Sequence, residues 1–182
     1  MRQRLPLFLL PLLIVFSSCE NDPADIAALE RKMDPGVEIA DSIRMIYSDS
    51  AQIKVTIEGP ILLNHLDKLD PRQEFPRGLF VTFFGPQQDT TSTLEARWGV
   101  YRERENEVVV RDSVVWRGNE GEKLETEELI WDEAREKIYT KKFVVITRPE
   151  SIIYGYGFEA DQDFSNARVL SVEGRLPVDR PE

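Results

Sequence analysis

From Val37 onward the apolar residues of this chain recur at every second position, in short runs that Gly and Pro interrupt. Ile53-Lys54-Val55-Thr56-Ile57 and Leu94-Glu95-Ala96-Arg97-Trp98 alternate cleanly, and Leu79 to Phe84 does so less strictly. A period of two matches a strand with one buried face and cannot place its apolar residues on one side of a helix. Val108-Val109-Val110, Val114-Val115-Trp116 and Phe143-Val144-Val145-Ile146 are β-branched and aromatic runs that also suit strands. Turn signals separate them at Glu58-Gly59-Pro60, Gly85-Pro86, Arg117-Gly118-Asn119 and Glu120-Gly121. With no long helical pattern after residue 35, the chain is expected to be all-β: a sandwich, jelly roll or solenoid.

The pattern also matches itself. Under a shift of 30, Leu94-Glu95 falls on Leu124-Glu125, Val100-Tyr101 on Ile130-Trp131 and Val108 on Ile138, while Val114-Val115-Trp116 falls on Val144-Val145-Ile146. Each unit reads as strand, acidic turn, strand and a kinked third strand. A partial further unit lies in Gly157-Phe158-Glu159-Ala160-Asp161. Units of this kind bury their apolar faces only by stacking on one another.

The N-terminus has a different character. Arg2 and Arg4 precede Leu5 to Phe16, a run of ten apolar residues and two Pro without charge. As a helix, twelve residues cover roughly 18 Å, short of the roughly 30 Å hydrocarbon core, so a secretory signal over 1–18 is expected. Val15-Phe16-Ser17-Ser18-Cys19 places two small residues before the only Cys and resembles a bacterial lipobox, with Phe16 where Leu is usual. Cys19 is then the lipid-attachment residue; an ordinary signal with a buried Cys is the alternative. Residues 19–36 read as a tether, with Ile26, Leu29 and Met33 at the spacing of a short helix after Asp22-Pro23. The β domain is expected over 37–176, with a tail at 177–182.

Charge and scarce residue types exclude much chemistry. The chain has 182 residues, 23 basic and 33 acidic side chains, and a net charge of −10. Without Arg2 and Arg4, the part from Cys19 onward carries −12, which disfavours nucleic acid as a partner. One Cys permits no internal disulfide, and one His permits no paired-His metal site. His65, in Leu62-Leu63-Asn64-His65-Leu66-Asp67, sits at a loop or strand end with no nucleophile elbow nearby. The pairs Glu127-Glu128, Asp132-Glu133 and Asp161 with Asp163 could in principle hydrolyse glycosides, but they read as solvated turns and strand faces. Asp161-Gln162-Asp163 opens like a calcium loop without its Gly and terminal Glu. Tyr154-Gly155-Tyr156-Gly157 precedes no helix and reads as a bulge or kink rather than a phosphate loop. No catalytic constellation and no cofactor is expected.

Three stretches resemble the LptC family, a periplasmic component of lipopolysaccharide export. They are Phe75-Pro76-Arg77-Gly78-Leu79-Phe80-Val81-Thr82-Phe83-Phe84 with Ser92-Thr93-Leu94-Glu95-Ala96; Gly121 to Asp132 continuing to Ile138-Tyr139-Thr140; and Tyr154 to Phe164 ending at Gly174. The resemblance implies an open, twisted antiparallel β-jelly roll that transfers lipopolysaccharide without chemistry. Family members receive it from an inner-membrane ABC transporter and pass it to an LptA-like bridge protein of the same fold. Many members are anchored by a transmembrane helix, where this chain has the lipobox. The expected location is the periplasmic face of the inner membrane, held there by lipidated Cys19.

An incompletely closed sandwich leaves apolar side chains along a groove that can hold acyl chains. The candidates are Ile53, Val55, Ile57, Val81, Phe83, Leu94, Ala96, Trp98, Leu124, Phe143 and Val145, each of which could equally be plain core. The last strand, with Arg168, Val169, Leu170, Val172 and Leu176, is the expected edge toward the bridge protein. The first strand, around Ile43 to Ile57, is expected to face the transporter. The alternative function is a lipid-anchored carbohydrate-binding or adhesion sandwich, with a filled core and a patch of exposed aromatics.

Overall fold

The computed structural model describes residues 36–177. Cys19, the signal segment, the expected tether helix and the tail from 178 lie outside the described residues. Eleven strands form one antiparallel sheet. They are β1 (Val37–Asp49), β2 (Gln52–His65), β3 (Arg72–Phe75), β4 (Leu79–Phe84), β5 (Thr90–Ala96), β6 (Trp98–Arg102), β7 (Glu107–Gly118), β8 (Lys123–Asp132), β9 (Lys137–Arg148), β10 (Ser151–Asp161) and β11 (Arg168–Pro177). The all-β jelly-roll expectation is met, and among the described residues no helix occurs.

The sheet folds over because its long strands change partner halfway. β7 pairs with β6 through Glu107 to Arg111 and with β5 through Val115 to Gly118. β2 pairs with β4 through Val55 to Glu58 and with β3 through Leu63 to His65, while β3 pairs with β6. The strands thus divide into two leaves joined along a line of bends. In β7 the bend is Asp112-Ser113, at φ 63° and 57°, and in β10 it is Gly157, at φ 74°. β8 slips register between Thr126 and Ile130.

A bend breaks the ladder and strands backbone groups that must find other partners. Two buried threonines supply them. The Thr126 hydroxyl donates to the carbonyls of Phe143 at 2.9 Å and Glu128 at 3.3 Å, and the Lys142 N–H donates to Thr140 Oγ1 at 3.1 Å. Gly78, at φ +90°, turns the chain from β3 into β4; a Cβ there would meet the Ala96 carbonyl at 2.7 Å. Val81, Leu94, Leu124 and Val144 of one leaf join Val110, Leu129, Ile138 and Phe158 of the other in a single core. The leaves therefore close on each other.

Two sequence expectations are corrected at this line. Glu58-Gly59-Pro60 is not a turn but lies inside β2, where that strand leaves β4 for β3. Leu94 to Trp98 is not one strand: the chain breaks at Arg97, whose N–H donates to the Asp112 carbonyl at 3.0 Å. The inward phase shifts by one residue at both points: Ile57 and Ala96 face inward before the bend, and Leu62 and Gly99, the latter opposite core Val110, do so after it. The first stretch, Ile43 to Ile57, is likewise a hairpin of β1 and β2 turning at Ser50-Ala51.

The thirty-residue period appears in the backbone itself. Asn106, Glu136 and Asn166 stand 30 apart at φ 50°, 53° and 49°. Their turns stack, since Glu133 N–H donates to the Asn106 carbonyl at 3.0 Å and Gln162 N–H to the Glu136 carbonyl at 3.1 Å. Replacing Thr126 by Val keeps the shape and removes the hydroxyl. Leaving those carbonyls short of a donor is expected to cost about 1–2 kcal/mol, read as a lower urea midpoint at unchanged slope.

Candidate functional site

Residues directly opposite each other across a ladder share one side of the sheet, so the registers show what lines the interior. One row crosses eight strands as Met45, Ile57, Val81, Leu94, Trp116, Leu124, Ile146 and Ile153, every one apolar. A second runs Tyr47, Val55 and Phe83, and a third Val114, Thr126, Val144, Gly155 and Val172. The facing leaf contributes Tyr101, Val108, Trp131, Ile138 and Ala160.

These rows do not stop where burial stops. Val144 is fully buried, yet Tyr47 and Met45 on β1 are 65% and 36% exposed, and Val172 on β11 is 58% exposed. Among the described residues both strands are edges, each paired on one side only. The inward apolar face thus runs through the core and emerges at both ends of the sheet.

Of the expected groove residues, the structure places Ile53, Val55, Ile57, Val81, Phe83, Leu94, Ala96 and Leu124 on this face, with Val81, Leu94, Ala96 and Leu124 deep in the core. Phe143 and Val145 flank Val144 and so point outward. Phe143 packs edge-on against Tyr156 at 5.2 Å between centroids. Trp98 is opposite Arg111, next to core Val110, and also faces out; its indole N–H donates to Glu74 at 2.9 Å and the Arg111 guanidinium lies 5.4 Å over its ring. An unbroken run such as Phe143 to Ile146 carries no alternation to say which members face in. On β11, Val169 packs against the core, Arg168 pairs with Glu159 at 3.2 Å, and Leu170 and Leu176 are exposed.

Three interior side chains escaped sequence reasoning. Phe164, in the loop after β10, is 9% exposed, stacks on Trp116 with centroids 4.3 Å apart at 16°, and meets Phe83 edge-on at 6.4 Å. Asp163, Ser165 and Asn166 surround it, so no apolar period marks it as interior. Its φ of 61° is left-handed, which costs a non-Gly residue of order 1–2 kcal/mol. Burying and stacking the ring offsets this by roughly 2–4 kcal/mol, so the ring is held inward by a small margin. The indole N–H groups of Trp116 and Trp131 are buried without a hydrogen-bond partner among the described residues.

The Phe164 loop is tied at its base. Its N–H donates to the Asp161 carbonyl at 2.8 Å, and the Asp161 carboxylate accepts from Asn166 at 2.7 Å and from Lys137. The Asn166 amide, and then Lys137, hold the Asp161 carboxyl below its usual range, and the Ser165 hydroxyl does the same for Asp163. Two further acidic side chains are paired: Glu128 with Arg111 at 2.7 Å and Asp132 with Arg135 at 2.6 Å. His65 meets Glu74 at 3.2 Å. No group of three His, Cys, Asp or Glu that could hold a metal occurs among the described residues. At the bend line an open cleft of about 600 Å³ has an apolar floor at Leu79 and Ala96 and a rim that includes Arg77 and Arg97.

Residues 78–176 match the family model described as Lipopolysaccharide-assembly, LptC-related. Among curated proteins no sequence matches the chain. Because the Asp161 and Asp163 pKa values are depressed in the fold, their ionised forms stabilise it above the unfolded value of 3.8, and that contribution disappears as pH falls through the lower folded values. Stability measured between pH 6 and pH 2 (a range of about four units) should fall less steeply in Asp161→Asn than in the natural chain.

Proposed function

The chain belongs to the LptC family, a component family of lipopolysaccharide transport, and from that premise we propose that its two leaves receive lipopolysaccharide acyl chains and pass them along the sheet to a neighbour. The observation that carries this reading is the inward apolar face that emerges at both edge strands. A self-contained core has no use for Tyr47, Met45 and Val172 at its rims. A domain placed end to end with others of its kind does, because an incoming strand on β1 or β11 extends both the ladder and the apolar lining.

The acyl-chain lining in this proposal is Ile53, Val55, Ile57, Val81, Phe83, Leu94, Ala96 and Leu124, without the outward Trp98, Phe143 and Val145. β11 is the edge offered to an LptA-like bridge protein and β1 the edge offered to the inner-membrane transporter. The polar headgroup stays outside, since the part from Cys19 onward, at −12, repels phosphate. Arg77 and Arg97, with no carboxylate within ion-pair distance among the described residues, give the bend-line cleft a cationic rim for it. Lipidated Cys19 holds the domain at the periplasmic face of the inner membrane, since two or more acyl chains suffice for a stable anchor. Nothing in this role requires bond-making chemistry, and Glu128, Asp132 and Asp161 are engaged in ion pairs.

The exposed Phe143 and Tyr156 pair favours the carbohydrate-binding alternative, since aromatic surfaces stack on sugars. Photo-crosslinkers separate the two readings. During export, a crosslinker at Met45 or Val172 is expected to capture lipopolysaccharide and one at Tyr156 is not. Capture at Tyr156 alone would overturn the transfer reading.

A further inference from the structure

Resting on the lipid-binding reading, we infer that Phe164 is a resident plug which occupies the place of an acyl chain and must swing out when lipid enters. The ring is buried against the inward face of the sheet. It is carried by the loop between β10 and β11 yet lies flat on Trp116 of β7 and edge-on to Phe83 of β4, both on the inward face. Any chain threading between the leaves at this level has to take that position.

Three features make the plug displaceable rather than structural. Phe164 is a bulky residue in the left-handed region, so the backbone gains by leaving the conformation that holds the ring inside. The ties from Lys137 to Asp161 and from Gln162 to the Glu136 carbonyl lie before Phe164 in the chain and survive its departure, whereas Ser165 and Asn166 follow it and shift with it. The surface the ring leaves behind is also suited to an acylated ligand. Trp116 and Phe83 offer an aromatic wall to hydrocarbon, and the unpartnered Trp116 N–H offers a donor to an ester or amide carbonyl. With the plug in place, the leaves close on an apolar core. With it out, the same residues line a channel.

A plug lowers apparent affinity by the fraction of molecules in which it is open, so its removal should strengthen binding. The full chain in detergent is titrated with purified lipopolysaccharide, alongside Phe164→Ala. The variant is expected to bind roughly ten-fold tighter, although its thermal midpoint is lower. Because truncation alone can loosen the fold, a second measurement leaves the side chain intact. Site-specific 4-fluorophenylalanine at position 164 should show a fluorine resonance that moves from a buried to a solvent-exposed position as lipopolysaccharide is added. A resonance unmoved while lipopolysaccharide is bound overturns the plug and leaves the lipid-binding reading standing. If neither the natural chain nor the variant binds lipopolysaccharide, the lipid-binding reading falls and the plug falls with it.

Discussion

The structure depends on how its bends are satisfied. A flat sheet of eleven strands has no interior, and this one acquires an interior only because its long strands fold over along a shared line. Each bend removes ladder hydrogen bonds from a buried backbone, and an unmade bond there costs more than a made one contributes. Thr126 and Thr140 carry the compensation: their side chains are short enough to stay inside and polar enough to replace the missing partners. The core, the inward rows and the meeting of Phe164 with Trp116 all follow from leaves held at that angle.

The rows explain why the domain can be stable and yet unfinished. In its middle, side chains from both leaves bury one another in a single core. Toward β1 and β11 the opposing leaf no longer covers the inward positions, and Tyr47 and Val172 are left to water. Exposed apolar edges invite unwanted pairing, which proteins usually suppress with charge or proline. Both edge strands carry charges, yet Met45, Tyr47 and Val172 on their inward positions stay apolar, which makes sense when another sheet regularly takes the place of water.

Much of this was legible in the sequence, and the exceptions have physical reasons. A looser alternation marked β4 over Leu79 to Phe84, and the strict one through β5 placed Leu94 and Ala96 inward beside Val81, because a half-buried strand writes its two faces as two residue types. The thirty-residue period was visible because stacked units repeat their contacts. Phe143 and Val145 were misplaced since a run of apolar residues gives no phase. Phe164 could not be found at all: one aromatic in a polar turn has no period, and only the fold brings it to Trp116. Bends read as turns or as nothing, because an αL pair such as Asp112-Ser113 uses residues common on any surface.

The stacked turns at Asn106, Glu136 and Asn166 carry a consequence for how such a domain can change length. Each thirty-residue unit adds two strands to the middle of the sheet, about 10 Å at the ordinary strand spacing. It does so without touching either edge, because it pairs only with units like itself. Duplicating or deleting a unit would therefore alter how much of a long molecule is sheltered at once, while the surfaces shown to neighbours stay the same. Capacity and docking are separately adjustable, and natural selection can tune the first by copying a segment of DNA.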